Sequence, residues 1–105
     1  MKNETWIIKK GGEVIDKKSS SGPNSLTPTE KLIYCLWVAD YSMRNAGCLE
    51  SAFDLYSDFH HEGLRLANET KLKRTIELFD LPTTEYEEKY FELFDDVCEE
   101  LKNYT

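Results

Sequence analysis

LTPTEKLIYCLWVADYSMR, residues 26–44, carries both a helix start and a core face within one stretch. Thr27 is placed to cap, and Pro28 suits the first helical position, where the missing N–H costs nothing. Glu30, three residues past the cap, closes a capping box. The helix is predicted from Pro28 to about Arg44. Leu32, Ile33, Leu36, Trp37, Ala39 and Met43 leave it apolar on most sides, which marks the central helix of the domain. Asn45-Ala46-Gly47 supplies residues that accept left-handed backbone and ends it.

Downstream the same period continues. A second helix is expected from about Leu49, because Leu49, Ala52, Phe53, Tyr56, Phe59, His60, Gly63 and Leu64 recur at steps of three and four. Asn68 reads as the cap of a short third helix with Leu72, Ile76 and Phe79 inward, stopped by Pro82. Thr84 and Glu87 repeat the capping-box pattern and open a last helix from about Glu85 to Asn103. Its inner face is Tyr86, Tyr90, Leu93 or Phe94, Val97, Cys98 and Leu101. Upstream, residues 5–17 read as a β-hairpin: Trp6-Ile7-Ile8 and Val14-Ile15 favour strand, and Gly11-Gly12 suits a tight primed turn. Residues 18–26 are small, polar and aperiodic, a linker by composition. The expected fold is therefore mainly α: an N-terminal hairpin or extended arm with linker over residues 1–25, then a four-helix domain over 26–105.

At 105 residues the chain makes one domain. Phe53, Phe59, Phe79, Phe91 and Phe94, with Trp37 and several tyrosines, are the expected bulk of its core. Cys35, Cys48 and Cys98 are an odd set without CxxC spacing, each in an apolar run, and read as reduced core residues of a cytoplasmic protein. No secretory pattern opens the chain. The longest near-apolar stretch, Leu32 to Ala39, is far too short to span a membrane.

The net charge of −7 is unevenly spread. Residues 1–25 hold five lysines against three acids, and residues 76–105 hold ten acids against Lys89 and Lys102. A segment this acidic repels nucleic acid, whose binding needs Lys and Arg to displace counterions, and favours a basic protein partner.

Catalytic and metal patterns are thin. His60 and His61 are adjacent, so on a helix they point about 100° apart and do not share one metal. Asp54, Asp58 and His61 do fall at i, i+4 and i+7, but no second His or Cys cluster completes a zinc set, and a solvated face accounts for them. A small enzyme built on these three is the weakest reading. No GxSxG or GxxxxGK motif is present, and Gly11-Gly12 is not followed by a phosphate-loop lysine. Neither enzyme activity nor a cofactor nor a metal is expected.

The strongest feature is an acidic stripe. Glu85, Glu88, Glu92, Asp95, Asp96 and Glu99 fall at steps of three and four, opposite the apolar face of the last helix, and Glu77 and Asp80 extend the charge onto the preceding one. Like charges at this spacing cost a few tenths of a kcal/mol each, on the order of 0.2–0.5 per pair. A solubilising face is the plain reading; phosphate mimicry is the functional one.

Residues 26–101 resemble a family of small all-helical bacterial proteins whose best-known member is an acidic DNA mimic. Leu26-Thr27-Pro28-Thr29-Glu30 is similar to the family's helix start. Asp40 and the corner Arg44-Asn45-Ala46-Gly47-Cys48, the aromatics Phe53 and Tyr56, Ile76-Glu77-Leu78-Phe79 and the acidic residues 85–101 follow in the family's order. Ala46 and Cys48 stand where the family has Gly and Phe. The resemblance implies a helical bundle and makes mimicry the reading to pursue. The expected function is a non-enzymatic inhibitor or regulator that engages a basic, nucleic-acid-binding protein, as an anti-restriction, anti-CRISPR, repressor-antagonist or immunity protein does. The rival is an adaptor module, homodimeric through the hairpin edge with Trp6, Ile7 and Ile8.

Overall fold

The Thr27 capping box forms as read. In the computed structural model, which describes residues 2–104, the Glu30 amide donates to Thr27 Oγ1 at 3.1 Å and the Thr27 amide donates to Glu30 Oε1 at 2.9 Å. The helix these open, Pro28–Ala46, ends where Gly47 turns left-handed (φ 71°) and its amide meets the Met43 carbonyl at 2.9 Å. Leu32, Ile33, Leu36, Val38 and Ala39 are fully buried, so this is the central helix. It is α2 in chain order, because the residues before it are helical too.

Asn3–Ser21 is one α-helix, α1, and the expected hairpin is absent. Ile7, Gly11 and Val14 stand at i, i+4 and i+7 and are buried together, against α2 and the last helix. Strand propensity spans only about 1 kcal/mol and depends on context, whereas burying Ile7 and Val14 gives about 1.5–3 kcal/mol each. Burial wins. Gly11-Gly12 makes no turn; Gly11 instead removes side-chain bulk. A Cβ on Gly11 would lie 2.3 Å from Trp37 Cδ1, so the glycine is what lets the indole of α2 sit against α1. The linker reading is displaced as well. Residues 18–21 belong to α1, which ends at Gly22 (φ 86°), and Pro23–Ser25 forms a short 3-10 turn. Among the described residues there is no strand, so the hairpin-edge dimer loses its surface.

The second predicted helix is two: α3, Glu50–Leu55, and α4, Phe59–Thr70. Between them Tyr56 is extended (φ −153°, ψ 94°). Leu49, Ala52, Phe59 and Gly63 are buried as expected, while Phe53, at the end of the first segment, is 36% exposed. Asn68 does not start a helix. It lies inside α4, its Nδ2 donating to the Leu64 carbonyl, and Lys71 (φ 58°) ends that helix. The next, α5, is Lys73–Phe79, with Leu72 and Phe79 buried and Ile76 partly so.

The last helix, α6, is Thr83–Tyr104, directly after Pro82. Tyr86, Tyr90, Phe94, Val97, Cys98 and Leu101 form its buried face, which settles Phe94 over Leu93. Phe91 is not core; it is 50% exposed. All three cysteines are free, Cys35 and Cys98 buried and Cys48 partly so. No helix among the described residues is long and apolar enough to cross a membrane.

Candidate functional site

On a helix of 100° per residue, Glu85, Glu88, Glu92, Asp95, Asp96 and Glu99 occupy an arc of about 100° centred opposite the buried face. All six are exposed. The apolar period of α6 causes this, since the residues that fill the core fix which side faces water. From Glu85 to Glu99 the ridge runs about 21 Å.

Few of these carboxylates are neutralised. Glu92 pairs with Lys89 at 3.8 Å and Glu99 with Lys102 at 3.4 Å, and Asp95 accepts from Asn3 Nδ2 at 2.9 Å. Such exposed pairs are worth about 0–1 kcal/mol. Among the described residues Glu85, Glu88, Asp95 and Asp96 enter no ion pair. Glu77 and Asp80 are also exposed but stand on α5 and just past its end, Glu77 paired with Arg74 at 3.2 Å. Asp80 lines a groove with His60, His61 and Leu64.

The two remaining acids of residues 76–105 have structural work. Glu87, expected in a capping box with Thr84, instead accepts from the Leu49 amide at 2.7 Å and so holds the start of α3. The Glu100 carboxylate accepts from the amides of Arg74 (2.9 Å) and Thr75 (2.8 Å) and from Thr75 Oγ1 (2.9 Å), which caps α5. The acids thus divide into an outward ridge and two inward clamps.

One flank of the ridge is not polar. Phe91 lines a groove of ≈ 520 Å³ with Arg44, Asn3, Glu4 and Asp95. The Arg44 guanidinium lies 5.2 Å from the Phe91 centroid and 4.8 Å from that of Phe94. Its Nε donates to both oxygens of Asp40, at 2.9 and 3.1 Å, and Asp40 Oδ1 also accepts from Tyr90 Oη at 2.6 Å. Burial pushes the Asp40 carboxyl above its ordinary value, against the pull of Tyr90 and Arg44. The sequence did carry a signal for this cluster: an acid on a helix otherwise apolar must find partners once buried.

The other reactive side chains are quiet. Burial raises the Cys35 and Cys98 thiols to about 12, so neither is a thiolate at neutral pH. The Asp54–Asp58–His61 face does not exist as one helical face, since Asp54 is on α3, Asp58 in the break and His61 on α4. Among the described residues no three His, Cys, Asp or Glu side chains gather as metal ligands. His60 is partly buried, its ring 5.3 Å from that of Tyr86. The chain matches no known protein family, no curated protein and no solved structure.

Proposed function

We propose that this protein acts by contact, without catalysis, and that the α6 ridge engages a basic surface of a nucleic-acid-binding protein. The observation that carries this reading is the segregation of the six carboxylates. They share one outward arc, with four of them free of ion pairs among the described residues. One or more carboxylates per helical turn approximate a duplex phosphate row in sign and linear density. The half-exposed Phe91 on the flank adds an aromatic anchor of the kind that dominates interface energetics. The resemblance of residues 26–101 to acidic DNA mimics points the same way. Glu77 and Asp80 would add field rather than direct contact.

The test compares charge reversals. Glu88→Lys with Glu92→Lys should leave far-UV dichroism and melting nearly unchanged, because exposed substitutions shift stability by about 0.5 kcal/mol or less. Basic proteins retained from host extract by the wild type should be released by salt and displaced by duplex DNA. The reversal should weaken that capture by about tenfold or more, as opposed charges become like charges. Asp54→Lys with Asp58→Lys changes net charge equally on other elements and should do far less. Equal loss from both pairs would reduce the effect to net charge, and capture that DNA does not displace would end the mimicry reading.

A further inference from the structure

Between α1, α2 and α4 the chain forms a half-open cavity of ≈ 380 Å³, within the range of about 300–1,000 Å³ typical of small-molecule sites. Local chain geometry builds it. Gly22, at positive φ, ends α1 and carries Pro23 and Leu26 over as one apolar wall, and the extended break after α3 delivers Tyr56 as another. The Tyr34 ring lies 5.7 Å from that of Tyr56, tilted by 39°.

The charge of the cavity runs against the charge of the molecule. Lys18 and Lys31 both line it, and among the described residues neither has an acid within ion-pair distance, in a chain whose net charge is −7. Lys18 Nζ stands 4.5 Å from the Tyr34 centroid, a cation over an aromatic face. The one lining acid, Glu62, is already clamped by Arg65, whose hydrogen bonds hold its carboxyl below the ordinary range. The charge of Lys31 also acts to lower Glu62, so the lining keeps an excess of one positive charge beside the Tyr34 and Tyr56 rings. Burial keeps the neighbouring Cys35 thiol protonated, so it brings no negative charge to the site.

We propose that this cavity binds a small planar aromatic anion, with its ring against Tyr34 and Tyr56 and its anionic group met by Lys18 and Lys31. An apolar ligand alone would leave the excess positive charge unanswered, and a small inorganic anion alone would leave the aromatic walls uncovered. This site is separate from the α6 ridge and does not rest on it.

Heteronuclear NMR with naphthoate as the probe tests the assignment. Naphthoate should produce saturable amide shifts confined to residues 18–35 and 56–62. Its uncharged analogue naphthalenemethanol should bind at least about tenfold more weakly, because hydrogen bonds to charged groups are worth a factor of that size or more. Lys18→Gln with Lys31→Gln should weaken naphthoate by a similar factor while leaving the spectrum otherwise folded. Lys71→Gln with Lys73→Gln makes the same change in net charge elsewhere and should leave affinity unaltered. Shifts that fail to saturate, or that centre on other residues, overturn the proposal. So does equal affinity for the neutral analogue, or equal loss from both lysine pairs.

Discussion

Gly11 and Gly12 are neighbours in sequence and opposites in packing. A Cβ on Gly11 would meet the indole of Trp37, including its Cβ at 2.9 Å, whereas a Cβ on Gly12 would meet nothing within 4 Å. Because the crowded atoms include the root of the Trp37 side chain, the ring cannot clear the space by flexing its far end. Gly12→Ala should therefore stabilise by about 0.5–1 kcal/mol through helix propensity. Gly11→Ala makes the same propensity gain but incurs overpacking of about 1–3 kcal/mol or more, and should lower stability. Urea unfolding of the two variants checks this, and equal stabilisation by both would remove Gly11 as the close-contact point. A glycine pair between β-branched residues reads equally as turn or as contact. Only the arrival of Trp37, from a different helix, separates the two.

At the level of the element, α6 holds three kinds of position in one amphipathic period. Its buried face and its outward ridge follow from the 3.6-residue repeat and are legible without coordinates. Glu87 and Glu100 are different, because the groups they cap lie 38 and 25–26 residues away in sequence. No local pattern distinguishes them from Glu88 or Glu99. Glu100→Ala should cost about 1–3 kcal/mol, since it strands two amides at the start of α5 and the hydroxyl of the fully buried Thr75. Glu87→Ala, with one amide bond to lose, should cost about 1–2 kcal/mol. Glu88→Ala should stay within about 0.5 kcal/mol of wild type. Denaturant midpoints at constant slope give the ranking. A Glu100→Ala protein as stable as Glu88→Ala would show that α5 needs no cap from α6.

Across the whole molecule, the Asp40 cluster ties α1, α2 and α6 together. Tyr90 of α6 bonds Asp40 of α2, and Arg44, held by Asp40, reaches Glu4 of α1 at 3.7 Å. Burial raises the Asp40 carboxyl above the ordinary 3.8. The folded state therefore binds this proton more readily than the unfolded one. Its contribution to stability is fully present below 3.8 and is lost as pH rises through the raised folded value. Glu30 and Glu62 act in the other sense. Hydrogen bonds from Lys17 and Arg65 lower them below 4.5, so their contribution is present above 4.5 and is lost as pH falls through the lowered values. Asp40→Asn removes only the first effect. The stability of wild type minus that of Asp40→Asn should increase as pH falls from about 7 toward about 4. Unfolding free energies across that range would detect it, and a flat or falling difference would mean that ionised Asp40 is not penalised by burial.

Both ends of α2 rest on groups within one helical turn and were already written in the chain. Thr27 and Glu30 close their box across three residues, and Gly47 ends α2 by a bond to Met43, four residues back. The period of residues 86–101 likewise separates core from ridge before any packing is known. Residues 5–17 lacked that autonomy. A short apolar run of Trp, Ile and Val satisfies a strand and one turn or two of helix equally well. What made it helical is that Ile7, Gly11 and Val14 fall on one side and find α2 and α6 there. The break at Tyr56 and the clamps of Glu87 and Glu100 belong to the same category. Each depends on partners that only the folded chain brings within reach, and the free energy of those long-range contacts exceeds the small local preferences that a sequence displays.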